Sequence, residues 1–180
     1  ENDIMSMGIL ELFDKVSVTE AFAKLLENTS LEGCKLYIEE NRAEVKLKSS
    51  EFIDRFELFK YKEAVKKIYN LLDLTIYVIY SGLKPTYEYF KGLINMFLYE
   101  NTACRICLST ANARYSDGCL KIDGIRGGKE LLIHRHFEDY IKNTAAKELD
   151  LNVDIDLCFE KFNTEEYMEE REKQQKELAA

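Results

Sequence analysis

The sequence predicts an α+β protein of two small modules, each a short β-sheet covered by helices, followed by an exposed C-terminal helix. In each half of the chain, apolar residues at helical spacing precede segments in which apolar and polar residues alternate. Pro85, the lone proline, lies between a β-branched run and a strongly periodic segment, which is typical of a boundary. Hydrophobic residues make up 46% of the 180 residues and charged residues 32%, a balance that allows a buried core.

The first module, residues 1–82, is predicted to follow the order ααββαβ. Apolar residues at helical spacing mark two helices: Ile9, Leu12, Phe13 and Val16, then Phe22, Leu25 and Leu26. Residues 34–38 and 43–47 alternate around a turn, which predicts a hairpin with one solvated face. A third helix is marked by Ala64, Val65, Ile68 and Leu72. The β-branched and aromatic run 74–80 predicts a buried strand.

The second module, residues 83–162, is predicted as ααβαβ, with one clear strand fewer and a KH-like arrangement. Two helices are marked by apolar stripes: Phe90, Leu93, Ile94, Phe97 and Leu98, then Cys104, Cys107, Leu108 and Ala111. The Asp117-Gly118 turn precedes a short strand, 119–123. One long helix is predicted from the inner face Ile133, Phe137, Tyr140, Ile141 and Ala145. Alternation over 151–159 predicts the last strand, and the charged residues 163–180 predict an exposed helix.

Charge and targeting signals exclude several classes of protein. The net charge of −8 disfavours bulk electrostatic binding of nucleic acid, and the acidic excess is smallest in residues 83–162. No run approaches a membrane span of about 20 apolar residues, and the start lacks a secretory signal, so we expect a cytoplasmic chain without a membrane partner. A start at Glu1 and an end in a charged run predict a fragment of a longer polypeptide.

The polar residue patterns predict no catalytic residue, metal or cofactor in this chain. Cys104 and Cys107 are spaced like zinc ligands, but no second ligand pair accompanies them and both lie on an apolar stripe, so core packing is expected. Asp154 and Asp156 alternate along a strand, as on any solvated sheet face. The two histidines, His134 and His136, are predicted on opposite sides of one helix and cannot act together.

A weakly basic surface is the candidate for nucleic-acid contact. The loop 124–129 contains a GxxG pattern and joins a strand to a helix N-terminus, where backbone amides favour an anion. The basic residues of this surface are Arg114, Lys121, Arg126, Lys129 and Arg135. The alternative interpretation is a flexible turn on a surface of mixed charge.

Four tyrosines are candidates for partner contact. Most of the aromatic residues fall on stripes assigned to the core, which leaves few free to anchor a partner. The candidates are Tyr37, Tyr77, Tyr87 and Tyr115. Ordinary surface tyrosines are the alternative interpretation for all four.

The order and spacing of these elements resemble the N-terminal region of the PolC-type DNA polymerase III alpha subunit of Gram-positive bacteria. The resemblance covers essentially all 180 residues and lies in these segments: the hairpin 33–48, the strand 74–80, the turn and strand 117–123, the helix residues 137–141, the strand 153–157 and the acidic, glutamine-bearing helix 163–175. This chain has no tryptophan, whereas relatives often have one in the hairpin and one at the position of Tyr89-Phe90. The second module is also similar to domain I of the initiator DnaA and to the C-terminal domain of the clamp loader's tau subunit.

The resemblance implies a non-catalytic region of a larger enzyme. The parent polymerase would supply DNA-directed DNA synthesis, 3′-5′ exonuclease proofreading and divalent metal ions, with DNA bound through that parent. This region is then expected to tether the enzyme to a replisome partner, most plausibly the tau subunit. The alternative is a module that binds single-stranded DNA or primer-template through the weakly basic surface. A free-standing small enzyme is a third class, for which the residue patterns give no support.

Overall fold

Two three-stranded β-sheets, one in each half of the chain, organise the fold. The structure is a computed structural model, and it describes residues 8–80, 82–160 and 164–179. Helices pack against both sheets, so the predicted α+β class with two small sheet modules is confirmed. In the described part of the chain, no helix combines the length and apolar character needed to cross a membrane.

The first module has the predicted order ααββαβ. Strands β1 and β2 form an antiparallel hairpin, and β3 returns parallel to β2 after the α3 crossover, which gives the sheet order β1-β2-β3. The element bounds are α1 (Ile9–Leu12), α2 (Glu20–Leu25), β1 (Thr29–Tyr37), β2 (Arg42–Ser49), α3 (Arg55–Ile68) and β3 (Asp73–Tyr80).

The second module has the order ααββααβ, with a second helix before its last strand and a sheet in the order β4-β5-β6. Again the first two strands are antiparallel and the last pair is parallel. Its bounds are α4 (Tyr87–Glu100), a 3₁₀ turn (Thr102–Cys104), α5 (Arg105–Leu108), β4 (Asn112–Ser116), β5 (Cys119–Ile125), α6 (Lys129–His134), α7 (Phe137–Leu149) and β6 (Asp154–Phe159). The final helix, α8 (Thr164–Ala179), is exposed along residues 168–179, as predicted.

Strand β4 is absent from the sequence prediction, which was wrong to give this module one strand fewer. Only Ala113 and Tyr115 alternate with polar residues, so the apolar pattern is short. The Asp117-Gly118 turn was predicted without the strand before it, although Asp117 and Gly118 have φ values of 50° and 77°. Two positive φ values in a two-residue loop are typical of the hairpin turn that Asp-Gly favours.

The predicted long helix is two helices, α6 and α7. His136 adopts a left-handed conformation with φ of 57°, which ends one helix and begins the next. Ile133, expected in the core, is therefore 64% exposed, and Leu132 is buried in its place. His134 ends α6 and His136 precedes α7, so the prediction that both lie on one helix was wrong.

The core of each module lies between the inner face of its sheet and the helices. In the first module, Val45, Leu47 and Val65 have no exposed surface. In the second module, Phe90 and Phe137 are equally buried. Buried and exposed residues alternate along β2 and β5. The helices of each module therefore cover the inner face of its sheet and leave the outer face uncovered.

Candidate functional site

A buried ion pair joins the two modules. Glu148 on α7 is 9% exposed and accepts two hydrogen bonds from the Arg55 guanidinium, Nη1 to Oε1 at 2.9 Å and Nη2 to Oε2 at 2.6 Å. The hydroxyl of Tyr89, on α4, donates to the same Oε2 at 2.8 Å. Arg55 follows the N-cap Asp54, whose carboxylate accepts from the Glu57 amide and fixes the start of α3. We call Arg55, Tyr89 and Glu148 the inter-module cluster.

The electrostatics of the inter-module cluster keep its groups in the protonation states that these hydrogen bonds need. Burial alone would lower the pKa of Arg55, but the hydrogen bond and charge of Glu148 outweigh it and raise that pKa. Burial and then the negative charge of Glu148 raise the pKa of Tyr89, and the same causes raise the pKa of Tyr80 to about 12. The arginine stays charged and both hydroxyls stay protonated at neutral pH, so the hydrogen bonds persist there.

An exposed apolar patch lies at the turn end of the first hairpin. Its four members are 62%, 81%, 48% and 75% exposed, in the order Leu36, Ile38, Ile68 and Leu72. The Asn41 side chain donates to the Asn70 carbonyl at 2.7 Å, and the Leu72 amide donates to the Asn41 carbonyl at 2.8 Å. These bonds hold the segment after α3 against the hairpin turn. We call these four residues the hairpin-end patch.

One sequence prediction about the hairpin-end patch was wrong, and another holds for only one of the two strands. Ile68 and Leu72 were assigned to one apolar helix face, but α3 ends at Ile68 and Leu72 lies beyond it. The hairpin was expected to have one solvated face, which holds for β2, where alternate residues are buried, but both faces of β1 are exposed from residue 32 to residue 36. Leu36 lies opposite the buried Ala43, so it belongs to the inner face of the sheet at a point where the described helices do not bury it.

Strand β1 is also an open edge. Within the described residues it pairs with β2 alone, through eight residue pairs with a register shift between Leu31 and Gly33, so its other side presents backbone amide and carbonyl groups for pairing. The sheet's other edge, β3, is contacted by α7 of the second module. The free edge and the hairpin-end patch therefore adjoin each other at β1.

The four candidate tyrosines lie at separate places. Tyr37 stacks beneath the Arg42 guanidinium at 3.7 Å and donates to Glu44, while Tyr77 lies on the same outer face of the first sheet. Tyr115 packs against Phe90, with 4.7 Å between ring centroids, and Tyr87 is 41% exposed at the start of α4. The structure does not bring them together as one surface.

Acidic partners neutralise most of the predicted basic surface. Asp123 pairs with Arg114 at 3.0 Å and with Lys121 at 3.9 Å, and Glu160 pairs with Arg126 at 3.0 Å. Of the other two candidates, Lys129 lies 5.9 Å from the Phe159 ring centroid and Arg135 is exposed. These ion pairs reduce the positive charge of the surface. The surface is therefore less favourable for a phosphate backbone than its basic residues alone predicted.

The glycine loop of this surface packs closely against α5. The Arg126 amide donates to the Cys107 carbonyl at 3.1 Å. A Cβ at Gly128 would lie only 1.9 Å from Cys107 Sγ, whereas a Cβ at Gly127 would meet no atom within 4 Å. Gly128 is therefore needed for close packing of the loop on the helix, a structural role that the sequence analysis did not assign to it.

Cys104 and Cys107 are buried, as predicted from the apolar stripe. Asp154 and Asp156 alternate with half-buried residues on β6, again as predicted. Across residues 8–80, 82–160 and 164–179, no group of three or more His, Cys, Asp or Glu side chains is placed to hold a metal ion. No protein-family model and no curated protein matches the chain.

Proposed function

We propose that this chain is the non-catalytic N-terminal region of a PolC-type replicative DNA polymerase III, and that it tethers the enzyme to the clamp loader's tau subunit. The observation that supports a tethering function is the hairpin-end patch beside the open edge of β1. The resemblance supplies the parent enzyme and the partner. The parent works in the cytoplasm, and synthesis, proofreading and divalent metal ions belong to its other regions.

The chemistry of the hairpin-end patch suits a protein partner. Aliphatic side chains such as Leu36 and Leu72 gain about 25 cal/mol per Å² when a partner removes them from water. They make no specific contact with phosphate, so the patch does not favour nucleic acid. Several large exposed apolar residues at one end of a module are typical of an interaction site on a soluble protein.

The edge of β1 adds directional contacts to this apolar surface. An extended segment of tau that pairs with β1 would form main-chain hydrogen bonds and place alternate side chains against Leu36. Glu39 is exposed beside the patch, whereas Glu40 is already paired with Arg42. The patch and the edge together define one binding mode, the addition of a strand.

Replacing Leu36 and Leu72 together with serine is expected to weaken tau binding about a hundredfold. Each leucine loses about 1.5 kcal/mol of burial energy in the complex, which gives about 3 kcal/mol for the pair. The dissociation constants of the wild type and the variant are measured by isothermal titration calorimetry. Both residues are largely exposed, so the urea midpoint of the free chain stays unchanged.

The matched control is Ile106→Ser with Ile133→Ser. These isoleucines are 78% and 64% exposed in the second module, away from the hairpin-end patch. The control variant should bind tau as tightly as the wild type. Equal losses in the two double variants, or no loss in the leucine variant, would contradict the proposed function.

A further inference from the structure

A groove lies between the outer face of the first sheet and helix α7 of the second module. Its volume is about 600 Å³, and residues from both modules line it. Lys46, Thr75 and Tyr77 come from the sheet, whereas Thr144 and Lys147 come from α7. We call it the sheet-helix groove.

Two lysines line this groove, Lys46 on the sheet side and Lys147 on α7. Lys46 on β2 lies directly opposite Tyr77 in the β2–β3 register, and Lys147 Nζ lies 5.2 Å from the Tyr77 ring centroid. Both lysines are exposed, and neither forms an ion pair among the described residues. Two cationic side chains that form no ion pair with the protein attract an anion.

The nearby carboxylates are already engaged. Glu44, two residues from Lys46, accepts from Arg42 at 2.8 Å and from the Tyr37 hydroxyl. Glu148, next to Lys147, accepts from Arg55 and Tyr89 in the inter-module cluster. The lysines are therefore left available for a ligand from outside the described part of the chain.

The corresponding face of the second sheet has the opposite character. There Asp123, Asp154 and Asp156 lie on the outer positions of β5 and β6, and the basic residues Arg114 and Lys121 pair with Asp123. The two modules share a strand order, so the positive charge on the first sheet is not a consequence of the topology. It is a property of this face.

We propose that the sheet-helix groove binds single-stranded nucleic acid. Lys46 and Lys147 contact successive phosphates, and a base stacks on the Tyr77 ring when Lys147 moves from the ring to a phosphate. The Thr75 hydroxyl donates a hydrogen bond to the strand, whereas the Thr144 hydroxyl already donates to the Tyr140 carbonyl at 2.6 Å and can only accept one. An unpaired strand combines phosphates with exposed aromatic faces, which matches a groove of cations and an aromatic ring better than an acidic peptide does.

The inter-module cluster positions the two sides of this site. Lys46 belongs to the first module and Lys147 to the second, and Glu148 is the direct neighbour of Lys147. The site lies on the outer sheet face, whereas Leu36 of the hairpin-end patch lies on the inner face. Nucleic-acid binding and tau binding are therefore separable, and either proposal can fail without the other.

The test measures the fluorescence anisotropy of labelled oligothymidylate and oligouridylate, about 15 nucleotides long, with the 180-residue chain at several salt concentrations. The variant is Lys46→Gln with Lys147→Gln. We expect about tenfold weaker binding near 50 mM salt, and a slope of log affinity against log salt that is shallower by about 1.4, because each phosphate contact on a single strand contributes about 0.7. The Lys46→Arg, Lys147→Arg variant should retain binding.

The control variant, Lys67→Gln with Lys84→Gln, removes the same charge from exposed lysines elsewhere. It should keep the affinity and the salt slope of the wild type. Comparable losses in the control, no binding by the wild type, or displacement of the oligonucleotide by polyglutamate at equal concentration would overturn the proposal. Equal affinity for the two oligonucleotides indicates recognition of phosphates and bases, and preference for oligouridylate indicates that the ribose hydroxyl is also contacted; both results support the proposal.

Discussion

Replacing Glu148 with leucine is expected to destabilise the chain by about 3–5 kcal/mol. The substitution leaves the Arg55 guanidinium, whose side chain is 21% exposed, without its carboxylate, and it removes the acceptor of the Tyr89 hydroxyl. A largely buried arginine cannot avoid this cost by losing its proton, because its pKa remains far above neutral. The free energy of unfolding is measured by urea denaturation, and the loss appears as a lower midpoint.

Two further variants distinguish the ion pair from a general effect on α7. Glu138→Leu changes an exposed glutamate in the first turn of the same helix and should cost less than about 1 kcal/mol. Arg55→Met combined with Glu148→Leu should recover most of the lost stability, because an apolar pair can replace a buried ion pair at little cost. A Glu148→Leu variant as stable as Glu138→Leu would show that the inter-module cluster contributes little.

Replacing Gly128 with alanine is expected to cost about 2–5 kcal/mol, from backbone strain and overpacking. The residue has a φ of 69°, which L-residues seldom adopt, and its new Cβ would lie 1.9 Å from the buried Cys107 Sγ. Either the loop 126–128 or helix α5 must move to relieve this contact. Thermal and urea unfolding report the loss of stability.

Gly127→Ala is the matched control, because Gly127 has a φ of 62° but open space around a Cβ. Strain alone should cost this variant about 1 kcal/mol. Adding Cys107→Ala to Gly128→Ala should restore part of the stability, since it removes the sulfur that the new methyl group meets. If Gly128→Ala and Gly127→Ala were equally stable, close packing of the loop would not explain why position 128 requires glycine.

Local residue patterns were sufficient to predict the fold class and the first module's element order. They failed where few residues specify the structure. The pattern of β4 contains only Ala113 and Tyr115, and its turn signal, Asp117-Gly118, was assigned without the strand before it. The break at His136 depends on a left-handed conformation at a residue other than glycine, which apolar periodicity does not reveal.

The surfaces were harder to predict than the fold. Glu148 follows Ile141 and Ala145 at helical spacing, so a charge on an apolar stripe was visible in the sequence. Its partner Arg55 lies 93 residues away along the chain, and no local pattern links the two. The hairpin-end patch was missed because Leu72 continues the period of α3 after the helix has ended.

Amide hydrogen exchange of the chain with and without the tau subunit tests the proposed tether most directly. Strand addition at the open edge predicts slower exchange on binding in β1, in the hairpin turn, and in residues 70–72, with the second module unchanged. Unchanged exchange throughout the first module would contradict the proposed tether. This holds whether tau does not bind at all or protects amides only in the second module.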